Sequence, residues 1–401
     1  MNKRISKNKH EKRYQQDINE NKNYLRNVIS IIISILIVGK VGFYLKNINN
    51  FNVQKVKANS EISNEIKEVT QENKQEETIV KEPIKKTIYI SFAGDFTLGT
   101  DTKFAYDGSL PAAFINSGKS YSHFMKNVSI IFSQDDYTLV NLETTFTDSN
   151  VKAPKDGDIF YNFKGPKDYV NILIKGSIDG VTIANNHIYD YGKQGIQDTV
   201  NTLKKNNIDI CGEGYKILKE IQGVKFGFLG YTGWEYSNVL KTKIVNDINE
   251  LKNKGAEVVI PYFHWGIERS YEPYDVQQNL ARFAIDNGAD AVIGSHPHVI
   301  QSMENYKGKL IAYSMGNFCF GGNSNPSDKR TFILQFKANM EDDKLVNFEY
   351  KVLPAMVSSR NDKNDYIPTL ATGENKTKIL KILNELSPTL NGNIKSEFFK
   401  V

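Results

Sequence analysis

Seven short apolar runs in this chain end in the same way, and this repeat limits the possible folds more than any other feature. The runs occupy residues 87–96, 137–146, 180–187, 225–234, 257–266, 290–299 and 309–318. Each is rich in β-branched or aromatic residues, as buried strands are, and passes directly into polar or glycine residues. Segments with helical periodicity, at 191–207 and 276–288, lie between some of the runs. This alternation predicts an α/β architecture with its sites beyond the carboxyl ends of the strands.

The last part of the chain departs from this pattern. Residues 332–340 and 342–357 predict two alternating strands joined by a charged turn, as in a β-hairpin. Residues 370–401 have the pattern of a terminal helix and a polar tail. We therefore expect one α/β domain over residues 87–369, followed by that helix and tail.

Metal-ligating residue types collect at the predicted strand ends. The chain has six histidines, and four of them stand where a predicted strand ends. A carboxylate stands at two further ends, and an asparagine precedes one of the histidines. The candidates are Asp95, Glu143, Asn186, His187, His264, His296 and His298. Imidazole, carboxylate and amide oxygen are ligands of divalent transition metals such as Zn, Mn or Fe, so the pattern predicts a metal site.

Each candidate also has an ordinary structural explanation. Asp95 could cap a helix, Glu143 could pair with a lysine, and His264 could be a packed ring. The histidines of the SHPH sequence could belong to a proline turn, and asparagine suits a loop. A metal site explains all these positions together, because they are expected at the same edge of one sheet.

The N-terminal segment predicts a membrane anchor. Residues 1–27 contain eight lysines or arginines and three acidic residues, which accounts for the whole formal charge of +5. Residues 28–45 are mostly apolar, are interrupted by Lys40, and would span about 27 Å as a helix, close to the thickness of a bilayer core. Because basic residues stay on the cytoplasmic side, we expect the N-terminus inside the cell and the rest of the chain outside. A cleaved signal peptide with residues 28–39 as its apolar core is the alternative.

The remaining composition argues against two function classes. Outside residues 1–27 the chain is neutral, so we expect no nucleic-acid partner. With two cysteines, Cys211 and Cys319, the chain is neither a disulfide scaffold nor a zinc-finger protein, although the two could pair outside the cell. Residues 46–86 are rich in Asn, Glu, Lys and Gln and cannot bury enough apolar surface to fold, so they predict a disordered tether.

Seven motifs carry a family resemblance. They are GDFTLG, NLET, FKGP, ANNHIYDYGKQGIQDTVNTL, YFHWGIE, GADAVIGSHPHVIQ and YSMGNFCF. In this order, over roughly residues 87–325, they resemble the CapA family of capsule-synthesis proteins, which is similar to the calcineurin-like metallophosphatases. The resemblance implies a four-layer α/β/β/α sandwich with the site along one edge, and a part in forming a poly-γ-glutamate capsule.

The resemblance also implies a role for each candidate. Asp95 and His298 would bind a first metal ion, and Glu143 would bridge it to a second. The second ion would be held by Asn186, His264 and His296. His187 would be the general acid, or an electrostatic clamp on a phosphoryl oxygen. Two such ions could together activate a water molecule and stabilise the attacking and leaving oxygens.

Two positions depart from the metallophosphatase pattern. Thr97 stands where an imidazole is usual, and Glu143 stands in place of the usual bridging aspartate. A one-metal enzyme or a binding protein therefore stays open. We expect a membrane-anchored, extracytoplasmic metal-dependent hydrolase or transferase of surface-polymer synthesis; the alternative is a non-catalytic, metal-stabilised subunit of a synthesis and export complex. The expected partners are the membrane, other capsule synthesis and export subunits, and the surface polymer.

Overall fold

The computed structural model describes residues 82–155 and 160–401, which lie within one compact unit, Lys81–Val401. The predicted cytoplasmic tail, residues 1–27, the predicted anchor, residues 28–45, and residues 46–81 of the predicted tether lie outside the described residues. Within the described part, no helix has the length and hydropathy that a membrane crossing requires. The first strand begins at Lys85, two residues before the predicted start of the domain, because its antiparallel pairing continues to Glu341.

The helices and strands follow the order predicted from the apolar runs. The strands are β1 Lys85–Thr97, β2 Tyr137–Leu142, β3 Thr145–Phe146, β4 Lys164–Gly165, β5 Gly180–Thr182, β6 Asp209–Cys211, β7 Ile217–Ile221, β8 Val224–Gly233, β9 Val258–Trp265, β10 Val292–Ser295, β11 Met303–Tyr306, β12 Lys309–Ala312, β13 Asn317–Phe320, β14 Arg330–Glu341, β15 Lys344–Met356 and β16 Thr369–Leu370. The α-helices are α1 Leu110–Asn116, α2 Ser129–Phe132, α3 Val170–Lys175, α4 Gly192–Lys205, α5 Asn238–Asn253, α6 Asp275–Asp286 and α7 Gly373–Leu386. Short 3-10 helices cover Tyr121–Phe124, Lys167–Tyr169 and Pro388–Leu390.

Two large sheets carry the seven predicted strands. The first has eight strands in the order β16-β15-β14-β1-β2-β5-β6, with β13 also paired to β1. The second has six strands in the order β11-β12-β10-β9-β8-β7. Strands β1, β2, β5 and β6 run parallel in the first sheet, and β8, β9, β10 and β12 run parallel in the second. The α/β class is therefore confirmed, and the predicted hairpin is the antiparallel pair β14 and β15.

Three hydrophobic clusters show how the layers pack. One cluster joins the two sheets, where Phe92 of β1 and Phe228 of β8 meet with ring centroids 6.3 Å apart. A second joins the first sheet to helices α3 and α4, for example through Leu203. A third joins the second sheet to α5 and α6, for example through Ile248 and Leu280. The sheets therefore share one core, and helices cover the other face of each.

The strand register brings the candidate residues to a common edge. In the parallel pair of β1 and β2, Asp95 lies opposite Asn141. In the parallel pair of β9 and β10, His264 lies opposite Ser295. Since parallel strands end on the same side of a sheet, Asp95 lies at the carboxyl edge of the first sheet and His264 at that of the second. The site therefore lies at strand ends, as predicted, but is shared by two sheets, and the prediction of one sheet was wrong.

Gly94 permits a close approach that places Asp95. A Cβ atom built on Gly94 would lie 1.8 Å from the carbonyl oxygen of Gly316, so any larger residue would clash with the backbone. This contact lets the Asp95 N–H donate to that same oxygen at 3.0 Å. The segment before β13 is thereby fixed beside the end of β1.

The two cysteines do not form the disulfide that the sequence left open. Cys211 and Cys319 are both free and buried. Cys211 belongs to the core between the sheets, whereas Cys319 belongs to the core between the first sheet and its helices. The first sheet itself separates them.

Candidate metal centre

The seven candidate residues come together beyond the ends of strands in both sheets. Asp95 and His264 lie within the last three residues of β1 and β9, and the other five candidates follow β2, β5 and β10. Five of the seven are buried, His298 is half-buried and Asn186 is exposed. Polar side chains that are buried together at one edge need partners, and their contacts form two groups that share Glu143.

The first group contains Glu143, His264 and His296, whose ligand atoms lie within 4.8 Å of one another. His264 Nε2 lies 3.4 Å from Glu143 Oε1 and 3.0 Å from His296 Nδ1. Asn186 Oδ1 lies 2.7 Å from the same His264 nitrogen. Two imidazoles, a carboxylate and an amide oxygen therefore converge on one small volume.

The second group contains Asp95, Glu143 and His298, again within 4.8 Å of one another. His298 Nδ1 lies 3.5 Å from Asp95 Oδ2, and His298 Nε2 lies 4.0 Å from Glu143 Oε1. Thr97, where the sequence lacks an imidazole, donates its hydroxyl to Glu143 Oε2 at 3.4 Å. The residues that were assigned to two ions thus form two groups bridged by Glu143, and metal binding by them stays a prediction.

Glu143 provides a test of whether a metal ion fits. Its side chain is fully buried, and Oε1 has no hydrogen-bond partner among the described residues. Leaving a buried acceptor unsatisfied costs about 1–3 kcal/mol, and more for a charged group. Oε1 is also the atom that both ligand groups share. A divalent cation between the two groups would supply the missing partner, so the donor set fits one.

The pKa values of the two buried carboxyl groups, Glu143 and Asp95, shift in opposite directions. Burial raises the pKa of Glu143, and the negative charge of Asp95 adds to this, so that it reaches about 8. Burial alone would also raise the pKa of Asp95, but its hydrogen bond to His298 and the nearby His264 lower it to about 2. At neutral pH without a metal, Asp95 is therefore ionised and Glu143 is largely protonated.

The histidines divide in the same way. Burial lowers the pKa of His264 to about 3 and that of His296 to about 2, so both are neutral at pH 7. Burial also acts to lower the pKa of His298, but Glu143 and Asp95 outweigh it and raise the value to about 10. His264 and His296 therefore each have a nitrogen lone pair that can bind a metal without loss of a proton, whereas His298 must first release one.

Hydrogen bonds orient the ring nitrogens toward the shared carboxylate. His298 Nδ1 lies 2.8 Å from Asn317 Oδ1, which can only accept, so Nδ1 carries the proton and Nε2 faces Glu143. Asn317 is held in this orientation by a hydrogen bond from its Nδ2 to the His298 carbonyl oxygen at 3.4 Å. Ser295 Oγ lies 3.2 Å from His264 Nδ1 and can accept its proton in the same manner.

His187 stands apart from the metal groups and has its own carboxylate. Its Nδ1 lies 2.8 Å from Asp190 Oδ2, and its Nε2 lies 4.0 Å from Glu143 Oε1. Asp190 is fully buried, accepts from the Phe163 N–H at 2.5 Å and pairs with Lys155 at 2.5 Å. The imidazole is therefore fixed with one nitrogen on a carboxylate and the other directed at the site.

A relay of amides connects these parts, and the sequence reasoning missed it. Asn141 Nδ2 donates to Asp95 Oδ1 at 2.7 Å, and Asn141 Oδ1 accepts from Asn185 Nδ2 at 3.1 Å. Asn185 Oδ1 in turn accepts from the His187 N–H at 3.1 Å. The sequence contained a signal, since Asn141 stands in the NLET motif and Asn185 in the ANNH sequence, at the same two strand ends as predicted ligands.

Comparison with known proteins gives a match over most of this domain. The profile of the family described as "Bacterial capsule synthesis protein PGA_cap" matches residues 89–322. The "PGA biosynthesis protein CapA" of Bacillus subtilis (strain 168) is 32% identical over 250 residues, which is 57% of this chain and 62% of that protein. The "Capsule biosynthesis protein CapA" of Bacillus anthracis is 30% identical over 220 residues, which is 49% of this chain and 54% of that protein. The chain thus spans between half and two thirds of the length of these relatives.

A solved structure, described as a novel phosphatase from Mycoplasma pneumoniae, aligns with 68% of this chain and 95% of that chain. The sequence identity is 15% and the TM-score is 0.41. A similarity of that size supports no inference about function.

Proposed function

The chain belongs to the family of bacterial capsule synthesis proteins, and from that premise we propose that it is a divalent-metal-dependent hydrolase or transferase in the synthesis of a capsule polymer of the poly-γ-glutamate type. It acts on a phosphoryl or amide bond. The fold that accommodates this activity is the four-layer α/β/β/α sandwich of the metallophosphatase type. One or two ions of Mn, Zn or Fe serve as the cofactor.

One observation carries the proposal. Glu143 Oε1 is buried without a hydrogen-bond partner among the described residues, and two groups of ligand atoms converge on it. A purely structural cluster would satisfy this oxygen with a donor, because an unpaired buried acceptor is costly. Asp95, His298 and Glu143 would hold one ion, and Asn186, His264 and His296 together with Glu143 would hold the other.

A bound divalent metal ion supplies Lewis-acid polarisation of a carbonyl or phosphoryl oxygen. Asp190 holds the proton on His187 Nδ1, so His187 would supply a proton at Nε2 from its doubly protonated, cationic form and would be left neutral with Nδ1 still protonated. The hydrogen bonds through Asn141 and Asn185 fix the position of His187 relative to Asp95. In this mechanism His187 acts as a proton donor, a role that would not be needed if the metal only stabilised the fold.

The place of action is also part of the proposal. Residues 28–45 anchor the protein in the cell membrane with the N-terminus inside, and residues 46–84, up to the start of β1, tether the domain outside. There the domain meets the other synthesis and export subunits and the polymer that they make. Protease added to intact cells should release the domain through the tether, and full protection of the domain would contradict this topology.

One structural feature favours the second candidate function, a non-catalytic subunit that the metal stabilises. Thr97 is fully buried and donates to Glu143, at the position where the metallophosphatase pattern has an imidazole. A group that holds one ion with carboxylates and one histidine binds Mn²⁺ or Zn²⁺ less firmly than a group with two histidines. If only the Glu143–His264–His296 group fills, the domain holds a single ion.

Metal analysis of the purified full-length protein tests the proposal. We expect one or two equivalents of a divalent transition metal, and turnover of a generic phosphodiester or a γ-glutamyl peptide that rises during a metal titration. A stable protein that binds no metal would contradict both candidate functions. In the producing organism, deletion of the gene should reduce the surface polymer, which is weighed after fractionation by composition.

A further inference from the structure

A cavity of about 280 Å³ opens beside the metal centre. His187 and His298 form part of its wall, so it is continuous with the candidate active site. Phe104, Tyr161 and Phe163 form an aromatic part of the wall, and Tyr161 and Phe163 stack with ring centroids 6.0 Å apart. The Phe163 ring lies 4.4 Å from the His187 ring. The volume lies near the lower end of the range for small-molecule sites, so the cavity has room for one small group of a substrate.

The charges in this cavity are unevenly paired. Three acidic residues line it, and one of them, Asp328, is neutralised by Arg330 at 2.6 Å. Asp107 and Glu268 remain, and Arg269 is the single lysine or arginine in the lining. Within residues 82–155 and 160–401, Arg269 forms no ion pair with an acidic residue. An exposed guanidinium beside a metal centre is thus available to a ligand.

The backbone at Arg269 is held in an unfavourable conformation. Its φ angle is 63°, in the left-handed region that residues with a Cβ atom avoid. The Arg269 N–H donates to the Pro297 carbonyl oxygen at 2.8 Å, and Pro297 lies between His296 and His298. This bond ties Arg269 to the loop that carries two of the candidate ligands. Glycine would adopt the same backbone without strain, so the chain retains arginine here at a cost in stability.

We propose that Arg269 binds one anionic group of the substrate, a carboxylate or a phosphoryl group, in the cavity beside the metal centre. This inference rests on the proposed function, because it takes the metal centre as the place of reaction. The planar guanidinium matches both groups with two parallel hydrogen bonds. The carboxylates of Asp107 and Glu268 in the same cavity repel further negative charge, so the site takes a single anionic group and not a run of them.

Calorimetric titration of the full-length, Mn²⁺-loaded protein with two separate probes tests the proposal. The probes are inorganic phosphate and γ-glutamylglutamate, and the tighter one identifies which anion the site prefers. Arg269→Gln should raise the dissociation constant of the preferred probe by about 10- to 100-fold, since a charged hydrogen-bonding partner is lost. Arg269→Lys should retain part of the affinity because its charge remains. Arg360→Gln is the matched control, since Arg360 is an exposed arginine outside the cavity that pairs with Asp362.

Arg269→Gly separates a binding role from a structural one. It should raise the melting temperature, because the strain at φ 63° is relieved, and should still lose the probe. Wild-type affinity in Arg269→Gln, or no binding of either probe by the Mn²⁺-loaded wild-type protein, would overturn the proposal. Metal content is measured in every variant, because a protein that binds no Mn²⁺ fails the proposed function instead, and the two failures are distinguished in this way.

Discussion

The Nε2 atom of His264 lies 3.0 Å from the Nδ1 atom of His296, although burial keeps both imidazoles neutral at pH 7. Two nitrogens at this distance can share one proton at most, and Glu143 Oε1 lies a further 3.4 Å from the same His264 atom. One shared proton would satisfy the two nitrogens but would leave Glu143 Oε1 without a partner, whereas a common cation would satisfy all three atoms.

Removal of the metal should therefore destabilise the protein. A chelator, or the variants His264→Ala and His296→Ala, should lower metal content and melting temperature together. Binding to the folded state alone adds about 2.7 kcal/mol when the free ion is at 100 times its dissociation constant. His187→Ala is the control for metal content and should leave it unchanged, because His187 belongs to neither ligand group. Its melting temperature should fall through loss of the contacts with Asp190 and Phe163, and a chelator should lower it further. Equal loss of metal in all three variants would contradict the division into ligands and acid.

Tryptophan fluorescence should report directly whether an ion binds beside His296. The chain has two tryptophans, and Trp265 is fully buried away from solvent in the core of the second sheet. Trp234 is 41% exposed, and its ring centroid lies 4.8 Å from that of His296. Paramagnetic Mn²⁺ should quench Trp234, and Trp234→Phe should abolish most of the quenching. Quenching that is undiminished in Trp234→Phe would contradict the placement of the ion beside Trp234, whereas a small remainder is expected from Trp265, which follows His264.

Metal binding should depend steeply on pH. Glu143 with a pKa of about 8 and His298 with a pKa of about 10 both hold protons at pH 7 in the metal-free protein, whereas His264 and His296 do not. The ligands must lose those protons when an ion binds, so affinity should rise with pH through the neutral range and protons should be released. Titration calorimetry in buffers of different ionisation enthalpy counts them. Affinity that falls as the pH rises from 6 to 8 would contradict the assignment.

Asp190 should matter for turnover and not for metal content. The substitution Asp190→Asn keeps the shape of the side chain but removes the charge that holds the His187 Nδ1–H and Lys155. We expect turnover to fall, by as much as about 10⁴-fold as when the carboxylate behind a catalytic histidine becomes an amide, while metal content stays at the wild-type value. Asp198→Asn is a suitable control, since Asp198 also accepts hydrogen bonds but lies in α4, outside the ligand groups. Loss of metal in Asp190→Asn would show that the residue supports the metal groups instead.

Much of this site could be predicted from the sequence, because parallel strands have a fixed direction. Once the runs that end in Asp95, Glu143, His264 and His296 are identified as parallel strands, each is expected at the carboxyl edge of its sheet. That the strands belong to two sheets whose carboxyl edges meet does not follow from the strand direction alone. The family resemblance predicted from the motifs is confirmed over residues 89–322. The succession of strands and helices along the chain and the hairpin also follow from periodicity, which local sequence determines.

The contacts between distant segments could not be predicted in the same way. Asn141 meets Asp95 because of the register of β1 and β2, and no local pattern fixes that register. Asp190 follows His187 by three residues, but the turn that brings its carboxylate to the imidazole appears only in three dimensions. The left-handed backbone of Arg269 likewise arises from its hydrogen bond to Pro297, 28 residues further along the chain.

The distinction between an enzyme and a metal-stabilised subunit depends on His187, which contacts Asp190 but belongs to neither ligand group. If the protein is an enzyme, His187→Ala should reduce turnover by about 10²–10⁴-fold without loss of metal, because it removes the proton donor alone. In the producing organism the same variant should then lack surface polymer, as His264→Ala should. If the metal only stabilises a subunit, His264→Ala should abolish the polymer through loss of the folded protein, whereas His187→Ala should leave it at the wild-type amount. The two strains therefore separate the candidate functions: normal polymer from His187→Ala beside none from His264→Ala would exclude the enzymatic role, and loss in both, with normal amounts of His187→Ala protein at the membrane, would support it.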